Sequence, residues 1–175
     1  LELHIQQNYR WDNMKTDMKP IFIKDKQLIY DNMGDVLFEG SNEYRWIDTR
    51  SLRYQPENVS SIWYDPDSMK NHVFLLPDKV LSETSYTTQP DINGAYSIDV
   101  REGNDPARDA DYALVHFQLK YPEPLMDGGL YIYGGLTEWQ VQPKYRLDYS
   151  PRDGMYEGSA YLKQGYYNYQ YIYVK

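Results

Sequence analysis

Residues 112–121 read Tyr-Ala-Leu-Val-His-Phe-Gln-Leu-Lys-Tyr, in which a largely apolar side chain recurs at every second position from Ala113. One face of an extended strand would carry five largely apolar side chains: Ala113, Val115, Phe117, Leu119 and Tyr121. The opposite face would carry three polar ones: His116, Gln118 and Lys120. Alternation of this kind predicts a β-strand with one face in a hydrophobic core and the other towards solvent.

Similar strand-like runs lie on both sides of this stretch, separated by turn residues. Asn93-Gly94 and Asp153-Gly154 are strong turn pairs. Residues 20–30 predict a short hairpin around Lys24-Asp25-Lys26. No window shows a sustained helical period, so the sequence predicts an all-β protein made of two β-sandwich-like lobes.

The polar residues 101–108 divide the predicted strands into two sets. Of the 20 tyrosines, 7 precede residue 109 and 13 follow it. We therefore expect an N-terminal β domain over residues 1–108 and an immunoglobulin-like sandwich over residues 109–175. The second domain has fewer strands than an immunoglobulin-like sandwich needs, so it is either incomplete at Lys175 or leans on the first.

Composition excludes several classes of function. The chain has 18 Lys and Arg against 26 Asp and Glu, a formal charge of −8, whereas nucleic-acid binding by counterion release needs a basic face. The absence of cysteine excludes disulfides and thiolate catalysis. No apolar run approaches the roughly 20 residues of a spanning helix. The chain begins at Leu1 without a methionine, and we expect a signal peptide to have been removed.

Catalytic and metal-binding patterns are missing from the sequence. His4, His72 and His116 fall in separate strand-like runs, where a lone histidine is seldom a ligand. The runs 65–68 and 109–111 lack calcium-loop spacing and favour turns. We therefore expect no catalytic, metal or cofactor residues. Hydrolysis by a scattered carboxylate pair ranks last among the hypotheses.

Five aromatic residues are candidates for an interaction surface. Trp139 follows Gly134-Gly135 and would either plug the end of the sandwich, which we favour, or stack on a sugar or partner. The last strand places four tyrosines on one face: Tyr167, Tyr169, Tyr171 and Tyr173. Ile172 and Val174 on the opposite face should point into the core, which would turn the four tyrosines outwards.

Residues 128–175 resemble the early-set immunoglobulin-like domains of the glycogen-binding kind. Trp139 matches their loop tryptophan, and Leu162, Gly165 and Tyr169 match their final hairpin. The lysine that helps to hold glucan in that family falls on Gln170, and a second stacking tryptophan would lie beyond Lys175. The resemblance implies a shared fold, but carbohydrate is not the expected ligand.

Four motifs in order resemble the plug protein of the type IX secretion system, a family long described as a domain of unknown function. The motifs are residues 38–45, 91–96, 109–117 and 162–171. The resemblance implies a periplasmic protein associated with the outer membrane. Its partner would be the outer-membrane translocon, whose periplasmic side it would close. That family has no catalytic or metal residues to transfer to this chain.

The sequence therefore predicts a non-enzymatic interaction protein that plugs a secretion channel. The alternative hypothesis is a carbohydrate-binding β-sandwich module of the cell envelope, built around Trp139 and nearby tyrosines.

Overall fold

A computed structural model describes residues 3–31, 34, 37–38, 40, 43–81 and 91–175. The first of the four motifs, residues 38–45, lies partly outside the described residues. The chain forms two compact units, Leu1–Asn42 and Glu43–Lys175.

The first unit contains a two-stranded hairpin. Strand β1 (Phe22–Lys24) pairs antiparallel with β2 (Gln27–Ile29). The two loop residues, Asp25 and Lys26, both have positive φ, 48° and 64°. Two consecutive left-handed residues give a turn whose twist matches that of the flanking strands. The hairpin predicted for residues 20–30 is thus confirmed.

The second unit is built on a nine-stranded sheet that curls into a nearly closed, barrel-like sandwich. Its strands are β3 (Arg45–Asp48), β4 (Val59–Asp65), β5 (Lys70–Leu75), β6 (Tyr96–Ile98), β7 (Tyr112–Lys120), β8 (Gly129–Tyr133), β9 (Arg146–Ser150), β10 (Met155–Lys163) and β11 (Gly165–Val174). Their order is β3-β11-β8-β9-β10-β7-β5-β4, and β6 also pairs with β11. The prediction of an all-β chain is confirmed at this level.

Strand β7 lies between β10 and β5 in the sheet. It pairs antiparallel with β10 along its whole length and parallel with β5. Its predicted alternation is confirmed, because four alternate side chains lie in the main core: Ala113, Val115, Phe117 and Leu119. Core residues of β5 and β10, such as Val73 and Leu162, pack in the same cluster.

The predicted division at residue 108 is wrong, since strands on both sides of it share one sheet. Residues 101–109 form a tight turn ending in a short helix, α1 (Pro106–Asp109), capped by the Asp105 carboxylate. Strand β5, before this turn, pairs with β7, after it. Strands β3 and β6 likewise pair with β11. The polar stretch is a connection within one unit, and the compact units divide between Asn42 and Glu43.

The sequence motifs beyond residue 90 meet in space and hold the sheet together. The buried Asn168 side chain accepts hydrogen bonds from the backbone N–H groups of Ile92 (2.6 Å) and Gly94 (3.3 Å). The Gln164 side chain accepts from the backbone N–H of Asp111 at 2.9 Å. Buried amides that bind backbone groups fix neighbouring segments in one arrangement, so these motifs serve the fold.

Helices in the described residues are short, namely α1 and two 3-10 turns, Gly135–Thr137 and Pro143–Tyr145. Within those described ranges, no helix is long and apolar enough to cross a membrane.

Candidate interaction site

The outward face of β4, β5, β7 and β10 carries a continuous set of large side chains. The strand register aligns one row across all four strands: Trp63, His72, Leu114 and Tyr161. The adjacent row contains Ser61, Phe74, His116 and Ser159. Three interstrand spacings make each row about 14 Å long. We define the outer aromatic face as Trp63, His72, Phe74, Tyr112, His116 and Tyr161.

Neighbouring rings of the outer aromatic face stack on one another. Phe74 and His116 are nearly parallel, with centroids 4.2 Å apart, and His72 lies 5.2 Å from His116. Trp63 packs against His72 at 5.4 Å, and Tyr112 against Tyr161 at 5.2 Å. Because stacked rings cover one another's faces, the centre of the surface presents mainly ring edges.

The two histidines are hydrogen-bonded to each other at the centre of this face. His72 Nδ1 lies 2.9 Å from His116 Nε2, a hydrogen bond that needs a proton on one nitrogen and a lone pair on the other. Burial, and then the neighbouring His72, lower the pKa of His116. Both effects favour the uncharged form of the His116 imidazole.

The margins of the face are more exposed and carry charge. Trp63 is 53% exposed, Tyr161 54% and Tyr112 49%. The Lys70 ammonium lies 5.7 Å from the centre of the Tyr161 ring, and Gln118 donates to the Glu157 carboxylate at 2.8 Å. An apolar centre with a polar margin is the usual anatomy of a protein-binding surface.

The four tyrosines of β11 do not form an outer ladder, so that prediction is wrong. Tyr167 and Tyr169 are buried in the core, and Tyr171 is half-buried. Tyr173 is the most exposed of the four, at 37%. Tyr169 packs edge-on against Phe117, with ring centroids 5.1 Å apart. Two of these tyrosines, Tyr169 and Tyr171, can point inwards because a largely buried acid accepts their hydroxyl groups.

That acid is Asp78, which follows β5. Its Oδ2 accepts hydrogen bonds from the hydroxyls of Tyr169 (2.7 Å) and Tyr171 (2.8 Å), and its Oδ1 lies 3.2 Å from Arg45 Nε. Burial raises the pKa of Asp78 in spite of the Arg45 charge. Burial also raises the pKa values of both tyrosines, which therefore remain hydrogen-bond donors. We call these four residues the Asp78 cluster.

Trp139 is half-buried and lies in a tight loop. Its ring contacts Tyr133 and Tyr44 edge-on, at 5.7 and 6.2 Å. A Cβ atom on Gly94 would come within 2.4 Å of the Trp139 ring, so the indole rests directly on the Asn93-Gly94 turn. These contacts agree with the plug role preferred for Trp139, although part of the ring remains accessible.

A second charged cluster ties together two loops of the same unit. The Asp48 carboxylate accepts from Arg50 at 2.7 and 2.9 Å and from Arg101 at 2.9 Å. Burial opposes ionisation of Asp48, but the Arg50 hydrogen bonds and both arginine charges lower its pKa below the usual value.

Among the described residues, no group of three or more His, Asp or Glu could hold a metal ion.

Sequence reasoning missed the outer aromatic face because its members come from four strands. His72 and His116 are 44 residues apart and meet only through the parallel register of β5 and β7. Each strand gave one weak indication of this face, namely a large ring at a position expected to face solvent. Trp63, His72 and His116 occupy positions that alternate with core residues, where a solvent-facing strand usually carries small or charged side chains.

No protein-family model matches this chain, and no curated protein matches it significantly. It is similar to a hypothetical protein from Parabacteroides merdae ATCC 43184, whose crystal structure was determined at 2.30 Å resolution. The two share 33% sequence identity over 99% of this chain, with a TM-score of 0.83. The chain spans 43% of that protein's length.

Proposed function

We propose that this chain is a non-enzymatic component of the type IX secretion system. It would plug the periplasmic side of the outer-membrane translocon through protein–protein contacts. The order of the four motifs supports the family, and the outer aromatic face is the observation that carries the interaction. Within this proposal the protein resides in the periplasm, against the outer membrane, and the sandwich of the second unit has an early-set, immunoglobulin-like character.

A plug acts by shape and buried area, and the outer aromatic face is suited to both. Stable interfaces bury about 1,200–2,000 Å² and concentrate their binding energy in central aromatic residues. The face is a rigid sheet surface, because the inward side chains of β5, β7 and β10 lie in the main core. Rigid aromatic side chains lose little conformational freedom on binding, which favours affinity.

The ring geometry favours a protein partner over a sugar. Sugar recognition by stacking needs an exposed ring face, whereas His72, Phe74 and His116 cover one another's faces. The two tyrosines that lie near Trp139, Tyr44 and Tyr133, pack edge-on against its ring, and Tyr167 and Tyr169 lie in the core. The carbohydrate-binding alternative is therefore the weaker proposal.

Co-purification from envelope membranes tests the proposal. Tagged wild-type protein should retain the outer-membrane translocon, whereas Trp63→Ala and Tyr161→Ala should each reduce recovery at least about tenfold, because a single aromatic residue buried at an interface can contribute about 2 kcal/mol or more of binding free energy. Tyr54→Ala is the matched control, because Tyr54 is 72% exposed and lies outside the face. Melting temperatures should stay close to wild type in all three variants.

Failure to recover a translocon with the wild-type protein would contradict the proposal. So would equal losses of recovery for Tyr54→Ala and Trp63→Ala, because the outer aromatic face would then have no particular role.

A further inference from the structure

Strand β4 is the last strand of the nine-stranded sheet. In the described part of the chain it pairs only with β5, and its other edge has no neighbouring strand. The edge of a sheet presents a row of backbone N–H and C=O groups to any extended chain that can approach it.

Protection is confined to the beginning of β4. There the register shifts between Val59 and Ser61, and the Gln55 side chain donates to the carbonyl groups of Val59 and Ser60. From Ser61 to Asp65 the strand carries no proline, no lysine and no bulge. Prolines, charged side chains and bulges are the devices by which natural edge strands resist pairing, and residues 61–64 have none of them, so this stretch is open to pairing.

The open stretch also presents an aromatic side chain on each face of the sheet. Trp63 lies on the outer aromatic face, and Tyr64, next along the strand, points to the opposite side. Both are 53% exposed. A strand added beside β4 would place its alternate side chains against these two rings, where cross-strand aromatic pairs are favourable.

The charges around the edge are one-sided. Residues 54–69 contain three acidic residues, Glu57, Asp65 and Asp67, and no lysine or arginine. Hydrogen bonds from the Ser68 hydroxyl and the Asp67 backbone N–H lower the pKa of Asp65, so it is charged at neutral pH. The next basic residue, Lys70, directs its ammonium over Tyr161. Acidic groups thus lie at both ends of β4, whose residues 59–64 are uncharged.

We propose that β4 is a β-strand addition site for an extended segment of a partner protein. The segment has about five residues with apolar side chains between basic flanking residues. Backbone hydrogen bonds to residues 61–65 supply the contact, Trp63 and Tyr64 each receive apolar side chains, and the carboxylates select basic flanks. This site requires no particular translocon and stands independently of the proposed function.

A synthetic peptide, Lys-Val-Thr-Val-Thr-Val-Lys, provides a direct probe. Titrated into the 15N-labelled chain, it should shift the amide resonances of residues 61–65 and the Trp63 indole. A peptide with glutamate at both ends should bind at least about fivefold more weakly. A peptide N-methylated at alternate residues on its pairing edge should show no saturable binding, because it cannot donate to the β4 carbonyl groups.

A double variant of the protein tests the charge contribution. Asp65→Asn with Asp67→Asn should weaken binding of the lysine-flanked peptide but leave the glutamate-flanked peptide unaffected or slightly improved. Glu123→Gln is the matched control, since it removes a carboxylate from the loop after β7.

Three results would overturn the inference. Shifts that map away from β4 would place the contact elsewhere, and equal binding of the N-methylated peptide would exclude strand addition. Concentration-dependent dimers with the same amide shifts would make a second copy of this chain the occupant. Failure of the wild-type protein to recover a translocon, while it still binds the lysine-flanked peptide, would instead count against the proposed function alone.

Discussion

Removing the Tyr169 hydroxyl should destabilise the fold much more than removing that of Tyr173. Tyr169→Phe keeps the buried ring and its edge-on contact with Phe117 but deletes the 2.7 Å hydrogen bond to Asp78. Hydrogen bonds to charged groups contribute about 1.5–3 kcal/mol, so we expect the free energy of unfolding to fall by that amount. Tyr173→Phe, at an exposed position, should change it by less than about 0.5 kcal/mol.

The deficit of Tyr169→Phe should depend on pH. Burial raises the pKa of Asp78 in the folded protein above its unfolded-state value. The stability that this pKa shift contributes is therefore present at low pH and is lost as the pH rises through the folded-state pKa. Tyr169→Phe removes a donor to the charged carboxylate and raises that pKa further. The variant should therefore lose more stability at pH 8 than at pH 4.

Urea unfolding followed by tryptophan fluorescence measures both effects, provided that the m-value is unchanged. Equal stabilities for Tyr169→Phe and Tyr173→Phe at pH 8 would refute the reasoning, because the Asp78 cluster would then contribute nothing specific. A larger loss at pH 4 than at pH 8 would show that the sign assigned to Asp78 is wrong.

Three further predictions concern other parts of the second unit. Asp48→Asn should make the free energy of unfolding fall less steeply with acid, since the lowered pKa of Asp48 supplies stability that is lost as pH drops through its folded-state value; urea titrations between about pH 5 and 2 measure this. Trp139→Ala should cost about 2–3 kcal/mol, below the range for a fully buried aromatic residue, and calorimetry should detect no micromolar glucan binding before or after the change. Gly94→Ala should lower the melting temperature, because Gly94 has φ of 78° and an added Cβ would displace the Trp139 ring.

Local patterns in the sequence predicted local structure well. The alternation in β7, the hairpin at Asp25-Lys26 and the Asp153-Gly154 turn depend on neighbouring residues alone. The division at residue 108 failed because it required knowing that β5 would pair in parallel with β7. A polar turn within one unit and a linker between two units have the same composition.

The orientation of β11 depended on a residue far away in the chain. Because Ile172 and Val174 have no polar group, the sequence predicted that they would face the core and that the alternating tyrosines would face outwards. The tyrosine face is buried instead because Asp78, 91 residues before Tyr169, accepts its hydroxyl group and removes the cost of burying it. No spacing rule connects the two positions, so three-dimensional structure was needed to reveal the pair.

Site-specific photo-crosslinking in cells tests the central claim most directly, namely that the outer aromatic face contacts the translocon. A benzophenone amino acid at position 161, within the face, should yield an adduct that contains the outer-membrane barrel protein. The same probe at position 54, outside the face, should yield none. Adducts from position 54 but not from position 161, in a protein that still co-purifies with the barrel, would contradict the account.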